Sequence, residues 1–357
     1  MATMTTLCPS QVEGSEAVLA QPPRPNEVVA IDCGTQGDCQ ITFECDGKLF
    51  EVILSVEAPG GSIECKYLER LHGSENDEET DQIFSELTDL LAGLCQPWFK
   101  RFTAAARESV HLSSTLHDSL YLKVLKLRLC TVDGKAEVRE HDALKGLHTS
   151  IPNSLCREAV GVNISTFKPS EINVMDTLKR DTVFKTLVLG SIMCVKVIGH
   201  RYSSQSVERE ISSLQRISEA HLNPRPHIPT LLGLVVSEDD QQLVLGFLMK
   251  FIERGHFESD LSSLNVDSIP QTQRENWSEQ IHNDLKRLHS IGVCWGDAKA
   301  GNIIIDKESN PWLIDFGGGY TNEWVDAHLA NSEKGDLQGL QRIMKFLHVS
   351  KEWNTEV

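Results

Sequence analysis

No apolar run in the 357-residue sequence is long enough to cross a bilayer. A spanning helix needs about 20 predominantly apolar residues. The best run, 186–198 (T-L-V-L-G-S-I-M-C-V-K-V-I), is shorter and carries Lys196. The first residues lack a basic-then-apolar signal pattern. Basic charge is scarce: 34 Lys and Arg stand against 51 Asp and Glu, for a net charge of -17. Nonspecific nucleic-acid binding needs a basic face, and so does attraction to an anionic membrane surface, so neither partner is expected. The ten cysteines include no C-x-x-C pair. Cys33, Cys39 and Cys45 are evenly spaced, but no His or Cys cluster completes a zinc site. They read as buried free thiols in a reducing compartment. These absences predict a soluble intracellular protein, cytoplasmic or nuclear.

What is present concentrates in 293–320, V-C-W-G-D-A-K-A-G-N-I-I-I-D-K-E-S-N-P-W-L-I-D-F-G-G-G-Y. Two polar clusters sit on apolar runs: Asp297-x-Lys299-x-x-Asn302, then Asp315-Phe316-Gly317. Residues 303–305 and 312–314 read as strands and 306–310 as a turn. Such a hairpin brings its ends together, so Asp297, Asn302 and Asp315 can converge. Two carboxylates, an amide oxygen and a lysine suit a hard divalent cation and a phosphate. Mg2+ takes few protein oxygens and shares the rest of its shell with water and substrate phosphates.

The length allows two domains, each with its own core. Residues 1–27 are rich in Ser, Gln and Pro and read as a disordered tail. Residues 28–160 read as a small α+β region of unknown role. Asp46-Gly47 and Asp133-Gly134, each between β-rich runs, predict two hairpins, over 40–56 and 121–138. The acidic run 75–81 leads into a helix carrying Ile83, Leu87, Leu90, Leu91 and Leu94 on one face, with Pro97 expected to end or kink it. Residues 151–169 read as a connector.

A β-rich block then opens at 171–175, and 186–198 reads as two strands joined at Gly190-Ser191. Residues 207–217 read as a helix with Val207, Ile211, Leu214 and Ile217 on one face. Strands are expected at 230–236 and 242–251. Thr272-x-x-Glu275 is a capping box. It is expected to open a helix with Trp277, Ile281, Leu285 and Leu288 on one face. His289 reads as a packed structural histidine. A last helix starts at Gly335-Asp336-Leu337, with Leu340, Ile343, Met344 and Leu347 inward.

D-x-K-x-x-N followed by D-F-G resembles the catalytic stretch of protein kinases. The phrases W-G-D-A-K-x-x-N, L-I-D-F-G-G-G-Y-T, W-V-D and G-D-L-Q-G-L are similar to those of uncharacterised protein-kinase-like proteins of filamentous fungi. The resemblance implies an α+β, bilobal kinase-like domain over 168–357, preceded by the small α+β region. It places a β-rich N-lobe at about 168–251 and a shortened helical C-lobe at about 252–357. It also implies ATP with Mg2+ or Mn2+.

By the same resemblance Asp297 accepts the proton of the acceptor hydroxyl and Lys299 steadies the transferred phosphoryl. Asn302 and Asp315 hold the metal. Lys196, in C-V-K-V, is similar to the strand lysine that meets the nucleotide phosphates. Glu210 is its expected ion-pair partner, with Glu208 as the alternative. Residues 249–257 (M-K-F-I-E-R-G-H-F) resemble a hinge meeting the adenine edge, which makes Met249 and Phe251 nucleotide contacts. Asp336 resembles the buried aspartate that braces the catalytic loop; the alternative is a simple N-cap.

The sequence departs from the family in four places. No glycine-rich segment precedes Lys196, since 178–186 (L-K-R-D-T-V-F-K-T) contains no glycine. Trp295-Gly296 replaces His-Arg, so a phosphorylated activation loop lacks its usual partner. Asp315 and Asp336 lie close together with no A-P-E between them, and little chain follows. The W-G-D and G-N pairs also resemble aminoglycoside- and choline-type kinases. Three functions stay open on this basis: a protein Ser/Thr phosphotransferase, a small-molecule kinase, and a nucleotide-binding pseudokinase scaffold. The acceptor, protein or small molecule, is unspecified.

Overall fold

The computed structural model describes residues 27–33, 37–74, 76–103, 114–141, 145–150, 152–161, 164–179, 182–199, 204–255 and 260–350. The tail expected over 1–27 lies outside them up to residue 26.

The first unit begins with β1 (Glu27–Cys33), β2 (Cys39–Cys45) and β3 (Lys48–Leu54). Asp46 and Gly47 both take positive φ, +48° and +70°. This two-residue turn matches the twist of the paired strands. Helices α1 (Ile63–Gly73) and α2 (Asp77–Thr103) cross over, a short α3 (Leu116–Leu120) follows, and β4 (Lys123–Val132) returns parallel to β3. β5 (Lys135–Glu140) folds back on β4 through Asp133-Gly134, and β6 (Leu147–Thr149) also pairs with β4. The sheet order is β1-β2-β3-β4-β5.

Pro97 does not end α2, which runs on to Thr103. A proline inside a helix removes one backbone donor. Packing beyond it compensates: Phe99 is buried, with its ring centroid 4.8 Å from that of Phe50 and 5.7 Å from that of Phe43.

The second unit is built on a seven-stranded sheet. Its strands are β7 (Leu155–Cys156), β8 (Thr166–Phe167), β9 (Asn173–Lys179), β10 (Val183–Val188), β11 (Ser191–Val197), β12 (Leu231–Val236) and β13 (Leu243–Lys250), with α4 (Arg157–Val160) between β7 and β8. The order is β8-β12-β13-β11-β10-β9, with β7 on β13. Two of these strands fall inside the stretch read as a connector, which is therefore part of the sheet. Two-residue strands leave no periodicity to read.

Helix α5 (Ser204–Glu219) packs Val207, Ile211, Leu214 and Ile217 inward, as its spacing predicts. Helix α6 (Gln271–Ser290) buries Trp277, Ile281, Leu285 and Leu288. Its N-cap is Pro270 rather than Thr272, and no side chain caps it. The chain enters this helix one residue before the capping-box pattern, so Thr272 already lies inside it. The hairpin of β14 (Ile303–Ile305) and β15 (Pro311–Leu313) follows, then α7 (Glu333–Phe346). Leu340, Ile343, Met344 and Leu347 face the same core as α6.

Each unit has its own main core. A smaller cluster joins them. Leu116 and the partly buried Tyr121 of the first unit pack with Ile172, Phe184, Val195 and Leu248 of the second. The Leu116 N–H donates to Ile172 O at 2.8 Å, and the Val174 N–H to Ser114 O at 2.9 Å.

Candidate active site

β11 delivers Lys196 to the inward face of the sheet, where its side chain is 5% exposed. Its Nζ donates to Glu210 Oε2 and to Asp315 Oδ1, both at 2.6 Å. Glu210, not Glu208, makes the pair. Residues 207, 210, 211, 214 and 217 share the buried face of α5, and 208 points elsewhere. Burial works against the lysine charge, but the two carboxylates outweigh it and hold the ammonium pKa above its ordinary value. Asp315 is desolvated too, yet Lys196, with Lys179 and Lys299 farther off, pulls its carboxyl below the usual range. Full burial pushes Glu210 upward, and Lys196 pulls it back.

Asp315 sits at the end of the β15 segment with φ +64°, a left-handed conformation uncommon outside glycine. The Ile314 N–H donates to Asn302 O at 3.0 Å, tying the two ends of the hairpin together. Asn302 donates its amide N–H to Asp297 O at 2.9 Å and lies 3.3 Å from Asp297 Oδ2. Its amide oxygen is therefore left as an acceptor. Lys299 Nζ reaches Asp297 Oδ2 at 2.6 Å and Thr321 Oγ at 2.8 Å, and the Thr321 hydroxyl donates to Asp297 Oδ1 at 2.9 Å. The Asp297 carboxylate is thus oriented from three sides.

The loop before Asp297 is held from below. Asp336, fully buried on α7, accepts the N–H of Trp295 and that of Gly296, both at 2.7 Å, and His289 Nε2 at 2.9 Å. Ser332, not Asp336, caps α7. His289 is a structural partner of Asp336, as its apolar setting suggested. Trp295 is itself buried, and its indole N–H donates to Ile314 O at 2.8 Å. The residue that stands where the resemblance expects histidine therefore braces the Asp315 strand.

A cavity of about 340 Å³ opens between sheet and hairpin. Leu178, Val183, Met249, Ile304 and Ile314 supply its apolar walls, and Lys196, Glu210, Asn302 and Asp315 converge at its polar end. Phe251 and the neighbouring hinge residues line its edge; 256–257 of the expected hinge lie outside the described residues. The volume suits a nucleotide-sized ligand. Cys194 also lines it, its thiol pushed up to about 12 by burial and so kept neutral.

Among the described residues no group of three or more His, Cys, Asp and Glu side chains could hold a metal by itself. Asp315 and the Asn302 amide oxygen offer hard oxygen donors, a set that fits an ion shared with phosphates. Residues 180–181 of the glycine-free segment before Lys196 lie outside the described residues. Lys179 lines the cavity there, in the cross-strand row Lys179, Val183, Lys196.

The signature of the protein kinase domain matches residues 182–335. That segment is protein-kinase-like. The match starts one residue before β10 and ends in the first turn of α7, spanning both polar clusters and most of the cavity lining. Among curated relatives, a 3-deoxy-D-manno-octulosonic acid kinase of Mannheimia succiniciproducens is 28% identical over 44% of this chain and 66% of its own length. A probable serine/threonine-protein kinase of Dictyostelium discoideum is 32% identical over 38% of this chain and 20% of its own. A serine/threonine-protein kinase of Saccharomyces cerevisiae is 25% identical over 38% and 13%. The chain thus spans just under two thirds of the first and a fifth or less of the other two.

Sequence reasoning about this kinase-like domain missed Thr321, Trp295 and Arg209. Thr321 stood in the phrase L-I-D-F-G-G-G-Y-T, and Arg209 stood beside Glu210. Neither residue type in isolation signals its role. The chain between Asp315 and α7 is compact. Asn331 accepts the Gly319 N–H at 2.9 Å, and Asp326 engages Gln338 and Arg342 of α7. Among the described residues no helix is long and apolar enough to cross a membrane.

Proposed function

We propose that the kinase-like domain is an ATP- and Mg2+- (or Mn2+-) dependent phosphotransferase acting on Ser or Thr hydroxyls of a protein, and that it groups with the filamentous-fungal proteins its phrases resemble. One observation carries the reading. Lys196, Glu210, Asn302 and Asp315 converge on one nucleotide-sized cavity, and Asp297 is joined to them through Asn302.

Asp315 and Asn302 would hold the metal, which when bound neutralises phosphate charge. Lys196 meets the nucleotide phosphates, while Met249 and Phe251 border the base. The acceptor oxygen forms the new bond to the γ-phosphorus as the bond to the β,γ-bridging oxygen breaks. The bonding pair leaves with ADP. Asp297 takes the hydroxyl proton, and Lys299 steadies the transferred group. Catalysis of this kind rests on positioning and electrostatics, and a glycine-free phosphate cover slows it without abolishing it.

A small-molecule acceptor is the second reading. The compact segment between Asp315 and α7 favours it, leaving little floor for a peptide. A scaffold that binds nucleotide without turnover is the third, favoured by the missing glycines.

The test separates binding from chemistry. Asp315→Ala should lose the thermal shift caused by Mg-ATP. Asp297→Asn should keep that shift yet transfer about 10²–10⁴-fold more slowly, the usual effect of losing a general base. Wild-type binding without turnover on protein or metabolite acceptors, matched by Asp297→Asn, would convert the reading to the scaffold. No metal-dependent binding at all would end both.

A further inference from the structure

Arg209 is adjacent to Glu210 on α5 and takes no part in the Lys196 pair. Its guanidinium lies between the loop that leads into Asp297 and the turn that carries Asp315. Nη2 donates to Cys294 O at 3.0 Å. Nη1 donates to Phe316 O at 2.7 Å and to Trp295 O at 3.3 Å. One turn earlier, Ser206 Oγ donates to Gly317 O at 3.1 Å.

Two glycines make room for the guanidinium. Gly296 has φ +97° and Gly318 φ +80°. A Cβ on Gly296 would stand 2.6 Å from Arg209 Nη1, and one on Gly318 2.7 Å from it. Both positions thus combine a backbone conformation that favours glycine with space that the Arg209 head fills, shared at Gly318 with Asn331 Oδ1. The planar fork has five fixed donors and a permanent charge, so it can serve carbonyls on two segments at once. A lysine ammonium in the same place is a flexible point charge and cannot hold both at fixed angles.

We propose that Arg209 is a positioning residue that locks α5 to both carboxylate-bearing segments, so that Glu210 and Asp315 both stay on Lys196 without any activating modification. The catalytic consequence rests on the phosphotransfer reading above; the positioning itself does not. Helix α5, the loop at 294–296 and the turn at 315–318 then move as one body. The site is assembled in the unmodified chain by a guanidinium that enters from the helix.

The experiment uses the full chain with Arg209→Ala, Arg209→Lys and, as a control, Arg216→Ala. Arg216 is on the same helix and donates to a single distant carbonyl, Ile291 O, at 2.8 Å. Amide hydrogen exchange is followed without nucleotide over 204–219 and 315–319. Initial rates with Mg-ATP give kcat and KM. Arg209→Ala should speed exchange in both segments and lower kcat on the order of 10²-fold, with KM for ATP moved far less, as expected for lost charge-assisted hydrogen bonds.

Arg209→Lys should recover only part of the protection. Guanidinium chloride below its denaturing range should restore protection to Arg209→Ala, while ethylammonium should not. Arg216→Ala should leave 315–319 unchanged. The proposal is overturned if 315–319 exchanges at the wild-type rate in Arg209→Ala, or if Arg209→Lys equals wild type. Should Arg209→Ala not fold, Arg209→Lys decides by the same exchange readout. Should wild type transfer no phosphoryl group to any acceptor, the exchange result still decides Arg209, and only the phosphotransfer reading falls.

Discussion

Replacing Lys196 by methionine keeps the length of the side chain and removes its charge. The structure sets the cost. One ammonium serves two carboxylates at 2.6 Å each, with Glu210 2% and Asp315 29% exposed. Removing the cation leaves two desolvated acids side by side. Breaking a buried pair in this way costs about 3–5 kcal/mol, which for a unit of this size lowers Tm by roughly 6–20 °C.

The loss should depend on pH, and the sign follows from Glu210. Burial already raises its carboxyl above the ordinary 4.5, and Lys196 is the strongest influence pulling it down. Without Lys196 the folded-state pKa rises further. A carboxyl raised in the folded state is not penalised at pH below its unfolded value, and it destabilises progressively as pH climbs through its folded value. Lys196→Met should therefore lose less stability near pH 4.5 than at pH 8. Urea denaturation followed by tryptophan fluorescence at the two pH values measures this. Adding Glu210→Gln should recover part of the loss, because one acid of the clash is gone. An equal loss at both pH values, or strictly additive single and double variants, would refute the coupling.

Three further outcomes follow from the same geometry. Asp336→Asn turns an amide N–H toward backbone donors at Trp295 and Gly296, so stability should fall by about 1–3 kcal/mol, with transfer reduced more than nucleotide affinity. Unchanged denaturation would mean that the brace is dispensable. Gly339→Ala drives a Cβ into Ala298 O, beside Asp297. The loop must shift, at about 1–3 kcal/mol in folding, and kcat should drop while Mg-ATP binding stays. Wild-type kcat in that variant would show that α7 does not set the loop. Thr321→Val removes the hydroxyl between Lys299 and Asp297 at nearly constant volume. It should lower kcat about tenfold with KM for ATP unchanged, and an unaltered kcat would remove Thr321 from the site.

Much of the fold was legible where local chemistry and tertiary structure agree. Both Asp-Gly hairpins formed because Asp46-Gly47 and Asp133-Gly134 suit paired positive φ values. The α5, α6 and α7 faces followed from apolar spacing, since a helix buries what lies every three to four residues. Pro97 and Thr272 misled because local rules weigh one residue, whereas the packing of Phe99 or the entry of the chain at Pro270 weighs many. The strands at 155–156 and 166–167 were invisible, being too short for any pattern and held in the sheet by pairing with β13 and β12.

The polar clusters of the site were determined by sequence alone. D-x-K-x-x-N, an apolar hairpin and D-F-G fix which groups converge, because the hairpin's reach is set by its own length. Tertiary structure decided the rest. It chose Glu210 over Glu208 through the rotation of α5 against the sheet. It made Asp336 a brace rather than a cap, by docking α7 under the loop at Trp295 and Gly296. It also brought Arg209 and Thr321 to the carbonyls and the carboxylate they serve, from positions distant in the chain. A hydrogen bond across that separation depends on how whole elements pack, and no local pattern in a sequence carries that information.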